Sequence, residues 1–180
     1  GKDKINADSM TSAIAEFEKT LVTPHSPFDK WLLGDKEAIS AKELAGYELF
    51  KNSGCVGCHN GTAVGGSSYQ KMGVIKKYQT SNQAIGLAGV TKKDSDNFMF
   101  KVPTLRNIEL TYPYFHDGAT TSLNEAVNIM GEIQLGRQFT DEENEKIVAF
   151  LKSLTGEAPA FALPKLPPSV AATPKPEPFN

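Results

Sequence analysis

An all-α fold is what this chain of 180 residues predicts, on three observations: three helix-capping boxes, the apolar stripes that follow them, and a proline-rich end. The first helix is expected to open at Thr11 or Ser12 and to carry Ile14, Phe17 and Leu21 on one face. Pro24 and Pro27 are expected to stop it, with Trp31-Leu32-Leu33-Gly34 following as a packed turn. Ser40 and Glu43 form the first capping box, and its helix carries Leu44, Tyr47, Leu49 and Phe50. Residues 67–101 lack sustained periodicity, and 91–97 read as a solvated excursion. Thr104 is placed as the cap of a short helix with Leu105, Ile108 and Leu110. Ser122 and Glu125 form the second box, and its helix aligns Leu123, Ala126, Val127 and Met130 before a stop at Gly131. Thr140 and Glu143 form the third, opening a helix with Ile147, Phe150, Leu151 and Leu154 and a stop at Gly156. Residues 159–180 hold seven of the eleven prolines, so that stretch is an extended arm.

The chemistry is concentrated in Cys55-Val56-Gly57-Cys58-His59, a C-x-x-C-H motif that also contains the only two cysteines. Two thiols at this spacing add across the two vinyl groups of one porphyrin. The histidine that follows becomes the proximal ligand of the iron. A thioredoxin-like pair would need a neighbouring βαβ pattern, and a zinc site would need two further ligands at regular spacing. Neither is present in the sequence, so the motif predicts one covalent haem c and a redox role.

Composition narrows the rest. A 39% apolar content supports one core with an accessory element. A net charge of −2 and the lack of a basic run speak against nucleic acid as a partner. No apolar stretch of about 18 residues exists to span a membrane. Haem c attachment places the chain in the periplasm, and the polar start Gly1-Lys2-Asp3-Lys4 reads as a cut rather than a natural beginning.

What fills the sixth iron position decides between electron transfer and chemistry. Met72 lies close to the attachment loop, Met99 reads as core filler between two phenylalanines, and His116 reads equally as a ligand or a polar turn residue. Met130, followed by about nine residues and the terminal helix, suits a ligand swung over the ring and equally an apolar stripe. Arg106 is a candidate propionate partner, balanced against an exposed helix arginine, and His25 reads as a surface turn residue.

Several stretches together resemble the C-terminal half of bacterial di-haem cytochrome c peroxidases. They are residues 13–24, 26–29 and 54–59, then Val102-Pro103-Thr104-Leu105-Arg106-Asn107, Tyr114-Phe115-His116-Asp117-Gly118, Gln134-Leu135-Gly136 and the proline tail at 163–168. The resemblance implies a cytochrome c-like haem domain at 31–156, behind an inter-domain crossover helix and linker at 1–30 and ahead of the arm at 157–180. It implies Cys55 and Cys58 as thioether sites, His59 as proximal ligand and Met130 as distal ligand. The related tryptophylquinone-forming branch has tyrosine at that distal position, so Met130 argues against it. The resemblance also implies a structural calcium held partly by the backbone carbonyls of Thr111 and Pro113.

Such enzymes reduce hydrogen peroxide at a second, N-terminal haem that is missing here. The expected role is therefore electron entry: a small c-type cytochrome or cupredoxin would donate, and the missing N-terminal haem domain would receive. By itself the chain is expected to be inactive towards peroxide. A homodimer is admitted by the resemblance. A free mono-haem carrier is the alternative, against which the leading helix and the proline arm count; a haem sensor has nothing specific in its favour.

Overall fold

The computed structural model describes residues 6–173. Six helices carry the fold: α1 (Ala7–Glu18), α2 (Pro27–Leu32), α3 (Ala41–Asn52), α4 (Ala88–Thr91), α5 (Leu123–Met130) and α6 (Asp141–Lys152). Tight 3₁₀ turns occur at Cys55–Gly57, Asp94–Asp96 and Ile108–Leu110, and a π turn at Gly131–Leu135. The fold is mostly helical but not purely so. Strands β1 (Tyr69–Lys71) and β2 (Met99–Lys101) pair antiparallel, with Gln70 opposite Phe100. The sequence reading missed this sheet because strands of three residues are too short for alternation to show.

The core is the crossing of α3 and α6. Phe28, Phe50, Val127, Ile147, Phe150, Leu151 and Leu154 form one buried cluster, with Phe150 at 1% exposure. Gly46 makes that crossing close, since a Cβ there would lie 1.8 Å from the Lys146 carbonyl oxygen. Capping boxes at Ser40 and Thr140 are present as expected.

Other expectations need correction. The first helix begins at Ala7, capped by Asn6 with Ser9 rather than by Thr11 or Ser12, whose positions lie inside it. Pro27 starts a helix instead of ending one: at the first helical position its missing N–H costs nothing, and Ser26 with Asp29 caps it. Trp31 and Leu32 are thus helical. Thr104 caps no helix; its hydroxyl donates to the Ala63 carbonyl, 2.5 Å away. Ser122 caps α5, but Glu125 turns away to Thr120 instead of closing a full box. Gly131 continues the helical path into the π turn, and Gly136, at φ 63°, ends it. Gly156 lies beyond the end of α6 and serves close packing, where a Cβ would lie 2.0 Å from the Thr23 carbonyl oxygen.

Core packing reaches back to Ser26, fully buried, and Phe28, both inside the stretch 1–30. By contrast α1 buries no residue, and Met10, Ile14, Phe17 and Leu21 remain about half exposed. The arm from 157 to 173 forms no helix or strand. Its Phe161 ring packs edge-on against Phe17 of α1, with centroids 5.7 Å apart. The remainder of the proline arm, 174–180, and the polar start, 1–5, lie outside the described residues.

Candidate haem site

Helix α3 delivers the chain into the motif. Ser53 closes the helix, Gly54 turns the backbone at φ 94°, and a 3₁₀ turn runs from Cys55 to Gly57. Amides of Cys58 and His59 both donate to the Cys55 carbonyl, at 3.2 and 2.9 Å. This winding sets both thiols and the imidazole on one compact turn. Both cysteines are unpaired and half-buried, and burial pushes the Cys55 thiol up to about 11.

Behind His59 lies a loop sewn to the 102–106 segment. Gly66 N–H donates to the Val102 carbonyl at 2.8 Å, and Leu105 N–H to the Val64 carbonyl at 3.1 Å. Gly65 permits the approach: at φ 127° it is buried where a Cβ would lie 2.1 Å from the Pro103 oxygen and 3.3 Å from His59 Nδ1. Phe50 flanks the imidazole with its centroid 6.3 Å away. Burial lowers the proton affinity of His59, against the opposing influence of the Pro103 and Val64 backbones. Its Nδ1 is buried with no hydrogen-bond partner among the described residues. The other nitrogen, Nε2, is therefore the one able to reach a metal.

Met130 is the half-buried last residue of α5. The π turn after it is clamped from outside by the 71–76 loop. Gln134 Oε1 accepts from the amides of Gly73 and Val74, both at 2.9 Å, and its Nε2 donates to the Lys71 carbonyl at 3.0 Å. Amides of Ile75 and Lys76 donate to the Ile133 carbonyl. A Cβ on Gly54 would lie 3.9 Å from Leu135, so the turn following Met130 reaches back to the attachment motif. Nothing in the sequence reading singled out Gln134 as this clamp. Its signal was there, however, as part of the Gln134-Leu135-Gly136 stretch.

The other candidates have the following surroundings. Met99 lies in β2 with its carbonyl bound by the Leu87 amide. Met72 and His116 line a cavity of about 220 Å³ with Lys71, Gly73, Lys77, Tyr78 and Phe98. His116 stacks on Phe100 at 4.3 Å, and both its ring nitrogens are buried with no hydrogen-bond partner among the described residues. Tyr78 donates to Asp117, and burial together with that carboxylate pushes the phenol up to about 12. His25 is exposed, as expected for a surface turn. Arg106 is neither an exposed helix arginine nor free for a propionate. It holds Asp29 bidentately at 2.7 and 2.9 Å, and its Nε donates to the Thr62 carbonyl at 2.6 Å. Thr111 and Pro113 stand on an exposed loop.

The donor set suits a c-type haem: two free thiols and an imidazole on one turn, with a methionine at the end of α5, just before a turn that reaches back to the motif. Among the described residues, no group of three or more His, Cys, Asp or Glu side chains could form a closed metal cage. Residues 44–155 match the family model for cytochrome c. The chain belongs to the cytochrome c family. Membership implies covalent haem c. Residues 1–37 match the model for di-haem cytochrome c peroxidase. This cytochrome is 62% identical to the cytochrome c551 peroxidase of Nitrosomonas europaea over 180 residues, all of the chain and 54% of that relative. To the cytochrome c551 peroxidase of Pseudomonas aeruginosa it is 46% identical, over 96% of the chain and 51% of the relative. The chain thus spans about half the length of these curated relatives. Among solved structures, a MauG-like protein associated with microbial copper homeostasis is similar, with a TM-score of 0.71 and 25% identity over 87% of this chain and 59% of that one.

Proposed function

We propose that this cytochrome is the electron-entry haem domain of a di-haem peroxidase. In this reading it takes electrons singly from a small c-type cytochrome or cupredoxin in the periplasm. It passes them to a second haem that reduces hydrogen peroxide to water. The observation that carries the reading is the 62% identity over the whole chain to about half of a longer cytochrome c551 peroxidase.

The bound haem would supply one-electron redox chemistry. Cys55 and Cys58 would fix its position, and His59 and Met130 would hold its iron. Gly65 lets the Pro103 backbone close behind the His59 ring on its Nδ1 side, so Nε2 would be the nitrogen left for the iron. Gln134 and the 71–76 loop hold the turn after Met130, which would limit the movement of its thioether. A thioether favours the reduced iron and raises the potential, which suits an acceptor from a small donor. Two held ligands also leave no position for peroxide, so the chain alone would not turn it over.

In the same reading residues 1–30 cross to the other haem domain, 31–156 hold the haem and 157–180 form the arm. The half-exposed Met10, Ile14 and Phe17 of α1, with Leu21 just beyond it, support this, being an apolar face suited to cover by the other half. A calcium at the junction would use the Thr111 and Pro113 carbonyls. Calcium takes about six to eight oxygens, so most would come from elsewhere.

The test is peroxide-dependent oxidation of a reduced small donor, by this chain alone and by a two-haem protein in which it is joined to the proposed N-terminal haem domain. The reading expects reduction of the chain without turnover, and turnover only when the second haem is present. Brisk turnover by the chain alone would overturn it, and no gain from the second haem would leave a free electron carrier.

A further inference from the structure

We propose that the surface formed by Val74 and Ile75, with Lys71 and Lys77 beside them, is where the electron donor docks, and that this donor is a small acidic redox protein. The proposal rests on the electron-entry reading above and adds the place of contact and the charge of the partner.

Charge along the chain is strongly uneven. Residues 69–101 contain six lysines and two aspartates, a net of +4, while the remainder holds 13 basic and 19 acidic residues, a net of −6. A chain near neutrality overall therefore carries one basic region on an acidic body. Long-range attraction acts on such an asymmetry and raises encounter rates with an oppositely charged partner.

The basic region borders the haem attachment. Ile75 and Lys76 are bound through their amides to the turn after Met130. Ile75 rests on Gly136, whose Cβ would lie 3.0 Å from the Ile75 Cγ2. Leu135, next to it, lies against Gly54, the residue before Cys55. The path from the exposed Ile75 side chain to the first thioether site is thus two packing contacts long. Electron transfer needs that kind of short approach.

Its composition suits a transient interface. Val74 and Ile75 are 60% and 64% exposed, so most of each branched apolar side chain faces water. They are an apolar centre from which a partner can exclude water. Lys76 is engaged by Glu132, but Lys71 and Lys77 make no ion pair among the described residues. Both lysines line the 220 Å³ cavity beside the patch, together with Met72 and Phe98. That volume is smaller than the roughly 300 Å³ at which drug-sized sites begin. It is lined by Lys71 and by Lys77, whose ammonium stands 5.9 Å from the Phe98 ring centroid, and is sized for a single side chain of a partner.

The experiment uses the intact two-haem protein and its double variant Lys71→Glu, Lys77→Glu. Stopped-flow reduction is followed with an acidic cupredoxin, with a basic cytochrome c, and with ascorbate at high ionic strength, where its own negative charge is screened, as a control that needs no docking surface. At low ionic strength the variant should be reduced by the acidic donor at least about tenfold more slowly, with the difference closing at high salt. Ascorbate reduction and the haem spectrum should not change. The proposal is overturned if the acidic donor is unaffected, if the basic cytochrome is the faster donor to the unmodified protein, or if the variant alters only self-association in sedimentation. Should the variant fold poorly, perturbation of Val74 and Ile75 amides by the acidic cupredoxin in the unmodified protein decides the matter, and no perturbation there overturns the proposal. Failure of the electron-entry reading is distinguishable, since every protein donor would then reduce this haem slowly while ascorbate still did so.

Discussion

Replacing Gly46 by alanine should destabilise the protein, although helix propensity alone predicts the opposite. Alanine in place of glycine inside a helix such as α3 gains about 1 kcal/mol. Here the new Cβ would meet the Lys146 carbonyl oxygen at 1.8 Å and the Phe150 Cβ at 3.0 Å. Ordinary contact lies near 3.5 Å, so α6 must retreat by more than about 1 Å. That gap opens along a seam that includes Tyr47, Phe50, Ile147, Phe150 and Leu151. Overpacking of this kind costs about 3 kcal/mol at the upper end of its usual range, so the net loss is about 2 kcal/mol. For a chain of this size the midpoint of thermal unfolding should fall by about 4–8 °C. Far-ultraviolet circular dichroism on the haem-loaded protein reads this directly. Gly89→Ala is the control, because its nearest neighbour would be 3.9 Å away and its effect should be neutral or slightly stabilising. An unchanged or raised midpoint for Gly46→Ala would refute the close crossing as the basis of the core.

The Arg106 guanidinium, with Ser26, holds the Asp29 carboxyl below its ordinary value of 3.8 despite partial burial. A depressed carboxylate stabilises the fold above its unfolded pKa, so this contribution should fade as pH falls from about 4 through the lower folded value. Asp29→Asn should cost about 1–3 kcal/mol at neutral pH and flatten that acid limb in denaturant titrations; an unaltered acid limb would place the loss elsewhere. Gly65→Ala should impair haem retention or shift the potential, since the Pro103 carbonyl stands 2.1 Å from the new Cβ, and equal potential and stability would count against the close backing of His59. Gln134→Ala removes three hydrogen bonds that hold the turn after Met130, so added imidazole should displace the proposed thioether more readily; unchanged imidazole affinity would argue against the clamp.

Much of this was legible in the sequence, and the misses have physical reasons. Capping boxes at Ser40 and Thr140 are local, four residues long and nearly self-sufficient, so they could be read directly. The roles of Pro27 and Gly156 could not. A proline is a stop or a start depending on the chain before it, and Gly156 owes its identity to Thr23, far away in sequence. Gly131 was misread for the same reason, its space being taken by Phe139 and the Arg137 carbonyl. At the site, the attachment motif is contiguous and therefore plain. The Arg106 partner, Asp29, lies 77 residues away, and the Gln134 clamp joins segments about 60 apart. Contacts of that separation leave no periodicity to read.

The most direct measurement is the near-infrared spectrum of the oxidised, haem-loaded protein beside that of Met130→His. Axial methionine gives ferric haem a weak sulfur-to-iron band, and replacing thioether by imidazole favours the ferric state. The account predicts the band in the unmodified protein, its loss in Met130→His, and a lower potential in the variant. A spectrum and potential that both survive the substitution would contradict it and move the distal ligand away from Met130.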